Sequence, residues 1–304
     1  MKNEEIYEKI RESVQLALGN EHTTKLVVNE KLNGTVQTSL AVSMPGSAII
    51  PNLHLEWALE AYTSGRSSLE EITEQLLETY QHSQTHMKFL SSDFPYKDWD
   101  FIKEKLAIRL VSKKRNPHLT QDFVHKEFLD MLAIVTLMVS IESDHFETMK
   151  VPYQLLKDWN VSEDEVLKIA LENSPKLLPP VVSPLWNRLK ECMQITDLED
   201  SDINIPLYIV TNEFAMNGAS AILYDGLLED LRGTLGCNLL ILPSSIHECL
   251  ILPAIHKFSP DNATEVQEMV QKINDTLVAS DSVLTDSVYL YNENGFSIVA
   301  EEAN

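Results

Sequence analysis

The chain has 304 residues, of which 44% are hydrophobic and 23% are charged, a balance that argues against a mostly disordered protein. Its 46 acidic residues outnumber its 24 lysines and arginines, so the formal net charge is −22. This acidity disfavours direct binding to nucleic-acid phosphates and leaves three interpretations of the charge: solubility, a basic partner, or imitation of a nucleic acid.

The first 172 residues predict an N-terminal α+β region. A stripe of apolar residues at helical spacing over 6–18 indicates an amphipathic helix. Two alternating segments then flank Asn33-Gly34, the dipeptide that is typical of a β-hairpin. A third strand over 47–55 and helices over 56–62 and 68–82 complete this first group of elements.

A second group of elements follows in the same region. The segment 104–113 predicts a strand, and the apolar segment 125–140 fits either a buried strand or a buried helix. Its β-branched residues favour the strand, and the alternating segment 142–151 predicts its hairpin partner. Two short helices come next, and Ser162 followed by Glu165 forms a capping box at the start of the second.

Residues 173–205 are rich in proline and acid, which predicts a connector between two sub-domains. The C-terminal α+β region, 206–304, then mixes short strands and helices. The predicted strands are 207–210, 219–224, 238–242, 247–252, 287–291 and 296–300, and the predicted helices are 226–235 and one that begins after Asn262. Because strands come in groups with helices between them, the sequence predicts an α+β fold with mixed or antiparallel sheets and helices packed on one face.

Cysteine usage and hydropathy predict the compartment. Cys192, Cys237 and Cys249 are odd in number and lack C-x-x-C spacing, which suits a reducing cytoplasm. The longest apolar run, Met131 to Val139, is too short to span a bilayer, so no membrane association is expected. The sequence has neither a phosphate-binding glycine motif nor a metal-ligand motif, and we predict no cofactor and no metal.

The segment "PSSIHE", residues 243–248, places polar residues between two apolar runs. Ser244, Ser245, His247 and Glu248 are catalytic candidates, and a serine and a histidine need a third group that converges from another element. A distant carboxylate such as Asp130 or Glu213 could supply it. The favoured interpretation is a turn that joins two buried strands and presents His247 and Glu248 at its rim.

Two further pairs are candidate binding residues. Arg109 and Asp130 each lie within an apolar segment, where an unpaired charge is costly. If the two strands are neighbours, an Arg109–Asp130 ion pair or a polar pocket is expected, and register fixing or simple exposure is the alternative. Asn212 and Glu213, in the predicted turn after the 207–210 strand, form the second pair.

The stretches "HKEFLDMLAIV", "TNEFAMNGASAILY", "LPSSIHECLILP" and "LTDSVYLYN" resemble an uncharacterised family of clostridial gut bacteria, domain-of-unknown-function family 5688, whose members are often met near mobile elements. The resemblance implies a bacterial cytoplasmic protein and supplies no activity. We therefore expect a non-enzymatic accessory factor that binds a macromolecule, with a protein as the partner. The alternative is a small-molecule hydrolase that uses His247, Ser244 or Ser245, and a remote carboxylate.

Overall fold

The computed structural model describes residues 3–44, 50–87, 95–141, 146–186, 207–255 and 260–300. The chain divides into two compact units, Met1–Pro95 and Tyr96–Asn304. All strand pairings within the described ranges are antiparallel, and helices separate the groups of strands. This arrangement confirms the predicted α+β class. No helix in these ranges is both long enough and apolar enough to span a bilayer.

The first unit packs three helices on one face of a three-stranded sheet. Its elements are α1 (Asn3–Leu18), β1 (Thr23–Glu30), β2 (Val36–Ser43), β3 (Asn52–His54), α2 (Glu56–Thr63) and α3 (Leu69–Met87). The predicted apolar stripe of α1 is buried through Ile6, Ile10 and Val14, which join Leu40 and Leu53 of the sheet in one core. The strand order is β1-β2-β3, so hairpin connections suffice to build the sheet.

The predicted hairpin at Asn33-Gly34 is confirmed. Both residues have positive φ, 61° for Asn33 and 67° for Gly34, a region that asparagine and glycine tolerate better than other residues. The turn sets the register of β1 and β2 from Glu30 opposite Val36 to Thr23 opposite Ser43.

The second unit begins with a four-stranded sheet and the helices around it. Its elements are α4 (Trp99–Ile102), β4 (Leu106–Ser112), α5 (Leu119–Asp122), β5 (His125–Phe128), β6 (Met131–Ile141), β7 (Phe146–Lys150), α6 (Tyr153–Trp159) and α7 (Glu163–Leu177). β6 is central, with β4 along one edge and β5 and β7 along the other. Its residues 131–138 are buried, which confirms a buried strand there and not a helix.

The structure corrects the prediction of one continuous strand over 125–140. Phe128 lies opposite Met131, so Leu129 and Asp130 form a two-residue turn between β5 and β6. Leu129 adopts a φ of 56°, a conformation that leucine rarely takes. Asp130 therefore lies at the end of a hairpin and not within an apolar strand.

Helix α7 fixes β4 through its buried face. The Ser162 side chain accepts a hydrogen bond from the Glu165 N–H, which confirms the predicted helix start. Near the other end, the Ser174 hydroxyl accepts from the Ile108 N–H at 2.8 Å and donates to the Ala170 carbonyl. The Ile108 N–H, which does not bind β6, is satisfied in this way. The strand that carries Arg109 therefore binds β6 along one edge and α7 through Ser174.

The remaining elements are six strands and two helices, namely β8 (Pro180–Pro184), β9 (Tyr208–Asn212), α8 (Leu227–Leu235), β10 (Leu239–Leu242), β11 (Cys249–Pro253), α9 (Ala263–Leu277), β12 (Val288–Asn292) and β13 (Gly295–Ala300). The strands form one antiparallel sheet with the order β13-β12-β10-β11-β9-β8. One face of the sheet packs Leu240, Leu242 and Leu252 against Val266 and Val270 of α9.

Two local predictions in this half need correction. The first residues of the predicted connector complete α7, which contains Pro175, and form β8. Pro180 and Pro184 lie in this edge strand, where a missing N–H breaks few ladder bonds. The rest of that connector, 187–206, lies outside the described residues, and the division into regions at 173–205 stays a prediction. The predicted strand at 219–224 is instead a 3₁₀ helix, Gly218–Leu223.

Candidate functional site

The segment "PSSIHE" is the connection between the two central strands β10 and β11. Leu242 lies opposite Leu250, and Leu239–Leu242 is buried on both faces. The connection therefore starts from a rigid base, as predicted from the apolar runs on either side. β11 begins at Cys249, two residues later than predicted, so His247 and Glu248 belong to the connection and not to the strand.

The two serines of this connection make different contacts. The Ser245 hydroxyl accepts a hydrogen bond from the His247 N–H at 3.0 Å, a turn contact within the segment. Ser244 is buried and lines a small apolar cavity, about 130 Å³, between the sheet and α9. Neither contact brings a serine hydroxyl to the His247 ring.

His247 is held by groups from two other loops. Its Nδ1 accepts a hydrogen bond from the Asn217 N–H at 3.3 Å, and its Nε2 lies 3.3 Å from the Ser282 hydroxyl oxygen. Because Nδ1 accepts from a backbone donor, the proton of the neutral ring is on Nε2 and is donated to Ser282. Ser282 in turn donates to the Asp281 carboxylate at 3.1 Å.

Gly218 lets the supporting loop approach this connection closely. A Cβ built on Gly218 would lie 2.7 Å from the His247 carbonyl oxygen and 2.6 Å from the Asn212 backbone nitrogen, and would also contact the Thr211 hydroxyl. The Thr211 hydroxyl itself donates to the His247 carbonyl at 2.8 Å. Only glycine fits between β9 and the His247 turn.

Arg109 and Lys150 lie on the same face of the four-stranded sheet. Arg109 is opposite Ile134, and Lys150 is opposite Thr136, two residues further along β6. Residues opposite one another share a face, and side chains alternate along a strand, so both cations project from one face. Their backbone positions are about 12 Å apart, two strand spacings across the sheet and two residues along it. The Lys150 ammonium also lies 5.2 Å from the centre of the Phe123 ring.

The same face meets the loop that supports His247. Ala107 and Met138, which share the face of Arg109, pack against Phe214 and Met216. Asn217, whose N–H binds the His247 ring, is the next residue of that loop. The sheet face with two cations and the His247 connection are therefore brought together in one unit.

Burial and the charges of neighbouring groups shift the pKa values of Arg109, Lys150 and His247. Burial lowers the pKa of Arg109 to about 10, although the nearby Asp281 carboxylate favours the charged form. Burial, and then the charge of Arg109, lowers the pKa of Lys150. Burial also lowers the pKa of His247; Arg109 adds to this effect, whereas Glu248 and Asp281 oppose it. We call Arg109, Lys150, His247, Asp281 and Ser282 the Arg109 site.

Arg109 carries a donor without an acceptor. Its Nε is buried and has no hydrogen-bond partner, and Arg109 forms no ion pair with another described residue. A buried charged donor left unsatisfied costs more than the roughly 1–3 kcal/mol of a neutral one. Such groups are few in native proteins, and a bound water or ion often accounts for them.

Asp130 is not the partner of Arg109, which corrects the predicted ion pair. Its carboxylate accepts hydrogen bonds from three hydroxyls that come from the segment before and within β12. The donors are Thr285 at 2.7 Å, Ser287 at 2.7 Å, and Tyr289. All three donor residues are buried, and burial together with the Asp130 charge raises the pKa of Tyr289. This cluster joins the β5–β6 turn to the six-stranded sheet.

The other predicted residues have separate surroundings. Asn212 is buried, and its side chain binds the Phe214 N–H, the Met216 N–H and the Met216 carbonyl, so it shapes the loop over 213–217. The Glu213 side chain is exposed. Glu248 is partly buried beside His247.

Sequence reasoning missed Lys150, Asp281 and Ser282. Lys150 ends an alternating strand, and only the pairing of β7 with β6 places it near Arg109. The stretch "SDSVLTDS" repeats an Asp-Ser pair at 281–282 and 286–287, which is the one signal that could have drawn attention to this loop.

The chain has an α+β fold in which two partly buried cations, Arg109 and Lys150, share one sheet face. Residues 3–293 match the model described as a family of unknown function, DUF5688. The chain belongs to this family, which confirms the uncharacterised family expected from its motifs. No curated protein and no solved structure matches the chain.

Proposed function

We propose that this is a binding protein and that its Tyr96–Asn304 unit holds an anionic group of a partner molecule at the Arg109 site. The observation that carries the proposal is Arg109 itself. A guanidinium with a buried, unpartnered Nε shares one sheet face with a second cation, Lys150, although the chain as a whole has a net charge of −22. An arrangement that costs folding energy in the free protein is explained if an anion compensates it.

The hydrogen bonds of His247 favour binding over hydrolysis. In a hydrolytic triad the histidine accepts the serine proton, and an acid binds the other ring nitrogen. At this site a backbone N–H occupies Nδ1, and Ser282 directs its proton to Asp281. The chain of donors runs from His247 through Ser282 to Asp281, opposite to the direction that a serine nucleophile requires. The hydrolase alternative, with Ser244 or Ser245, has no serine–ring contact in its support.

The partner that we propose is a macromolecule, and a protein in particular. The acidic surface disfavours binding to nucleic acid. It favours a partner whose surface is neutral or basic apart from the anionic group that enters the Arg109 site. We also propose that the protein is cytoplasmic and that it comes from a clostridial bacterium. Cys237 and Cys249 are free thiols, which supports a reducing compartment, and Cys192 lies outside the described residues.

Replacing Arg109 by methionine tests the proposal. In a chloride buffer we expect the free energy of unfolding to rise by about 1–2 kcal/mol, because the variant removes a poorly compensated buried charge and keeps its volume. Exchanging chloride for acetate or phosphate at constant ionic strength should stabilise the wild type by about 1.4 kcal/mol at ten times the dissociation constant. Arg109→Met should show no such gain. Thermal unfolding followed by circular dichroism measures both effects.

Arg232→Met is the matched control. Arg232 forms a surface ion pair with Glu229 at 2.8 Å, so its loss should change stability by no more than about 0.5 kcal/mol. The control should keep the full response to acetate or phosphate. Equal responses of wild type and Arg109→Met to both anions would refute the proposal.

A further inference from the structure

The Tyr96–Asn304 unit contains a cavity that lies apart from the Arg109 site. It is enclosed between the six-stranded sheet and α9 and has a volume of about 130 Å³. Three leucines from the face of β10 and β11 form one wall, and three apolar residues from one side of α9 form the other. They are Leu242, Leu250, Leu252, Met269, Val270 and Ile273.

The lining of this cavity excludes polar ligands. Apart from Ser244, every residue that lines it is a leucine, a valine, an isoleucine or a methionine. The Ser244 backbone is used by the turn itself, since its N–H binds the Leu242 carbonyl and its carbonyl accepts the Leu284 N–H. A water molecule needs several polar partners to stay in a cavity, and a polar ligand loses its hydration there without compensation. The lining therefore selects an uncharged, apolar ligand.

The cavity cannot close by a simple shift of α9, because this helix is held at two points. Val266 and Val270 pack in the core beneath the sheet. One turn further along, the Asn274 side chain is 4% exposed and donates hydrogen bonds to the Thr285 carbonyl at 3.2 Å and the Asp286 carboxylate at 2.5 Å. A void whose walls cannot relax is costly, and a ligand that fills it restores the missing contacts.

The side chain of Met269 provides access to the cavity. Met269 lines the cavity and is 44% exposed, so the cavity reaches the protein surface beside α9. Ile273, one turn further along the same side, is half-buried. A methionine side chain is unbranched and flexible, so it can move aside while the sheet and the helix stay in place.

We infer that this cavity between β10, β11 and α9 is a second binding site, which takes an uncharged hydrocarbon ligand. Apolar cavities of about 150 Å³ stay dry and bind benzene, so a cavity slightly smaller than this accepts a ligand of about six carbon atoms. The inference goes beyond the proposed function and does not depend on it, because no residue of the Arg109 site lines the cavity.

The inference is tested with the full chain, ¹³C-labelled at the methyl groups of its leucines, isoleucines, valines and methionines. Benzene should shift the methyl signals of Leu252, Met269 and Ile273 saturably, with a dissociation constant on the order of 1 mM, because so few carbon atoms bury little surface. Pyrazine, a ring of the same size with two nitrogen atoms, should bind at least about tenfold more weakly, because its nitrogens lose water and meet apolar walls.

Ile273→Trp tests the location of the site, and Leu277→Trp is the matched control. The indole at position 273 fills part of the cavity, so the affinity for benzene should fall at least about tenfold. Leu277 lies one turn further along α9 and is 80% exposed, so the same enlargement there should leave the affinity unchanged. Thermal unfolding shows whether Ile273→Trp folds. Should it unfold, the comparison of benzene with pyrazine in the wild type still decides.

The outcomes decide this inference separately from anion binding at Arg109. Saturable shifts at the cavity methyl groups, with a preference for benzene that Ile273→Trp removes, support the apolar site. Shifts that do not saturate, or equal affinities for benzene and pyrazine in the wild type, overturn it. Equal affinities for benzene in folded Ile273→Trp and in Leu277→Trp also overturn it, because the ligand then binds elsewhere.

Discussion

Replacing Asp130 by leucine is expected to destabilise the Tyr96–Asn304 unit by about 3–5 kcal/mol, because three buried hydroxyl donors lose their acceptor at once. The donors are Thr285, Ser287 and Tyr289, each exposed by no more than 1%. The leucine side chain offers these hydroxyls no acceptor in place of the carboxylate. Urea unfolding followed by tryptophan fluorescence measures the loss.

Two control variants define the origin of that loss. Asp130→Asn keeps one acceptor oxygen and should cost clearly less than Asp130→Leu. Tyr289→Phe removes one donor, and combined with Asp130→Leu it should cost less than the sum of the two single changes, because the tyrosine hydroxyl is already without its acceptor. Strict additivity, or a midpoint equal to the wild type for Asp130→Leu, would show that the cluster is not a connection between the sheets.

Replacing Gly218 by alanine is expected to cost about 3 kcal/mol or more, because the added methyl meets backbone atoms that cannot move independently. The Asn212 nitrogen would lie 2.6 Å and the His247 carbonyl oxygen 2.7 Å from the new Cβ. The change should also displace the His247 turn and weaken anion binding at the Arg109 site. Thermal unfolding and a titration with acetate report the two effects.

Gly233→Ala is the matched control in the same unit. Gly233 lies within α8, has no atom within 4 Å of a built Cβ, and lacks a positive φ. Alanine there should stabilise the protein by about 0.5–1 kcal/mol through its helix propensity. If Gly218→Ala destabilises the protein no more than Gly233→Ala does, β9 and the His247 turn do not approach Gly218 as closely as the structure shows.

Sequence patterns predicted the elements whose signals are local. The stripe of α1, the Asn33-Gly34 turn and the two apolar runs around "PSSIHE" each depend on residues close in sequence, and all three are confirmed. Leu129 shows the limit of such signals. A leucine with φ of 56° carries no turn signal, so the strand over 125–140 was predicted without its break.

The Arg109 site could not be predicted because it depends on register and long-range packing. Lys150 reaches Arg109 only through the pairing of β4 and β7 with β6, and Ser282 reaches His247 across 35 residues of chain. The expected Arg109–Asp130 pair was wrong for the same reason. Two charged residues in apolar segments each need compensation, but the sequence does not say which groups provide it.

The most direct test of the account is the ¹H–¹⁵N signal of the Arg109 Nε–H, assigned by its loss in Arg109→Met. This donor is buried and lacks an acceptor in the structure, so it reports on whatever binds the guanidinium. We predict that acetate shifts the signal saturably and slows its exchange with water, with the same dissociation constant as the Asn217 and Ser282 amides. A signal that stays unchanged through the titration, or that moves only in proportion to ionic strength, would contradict an anion-binding site at Arg109.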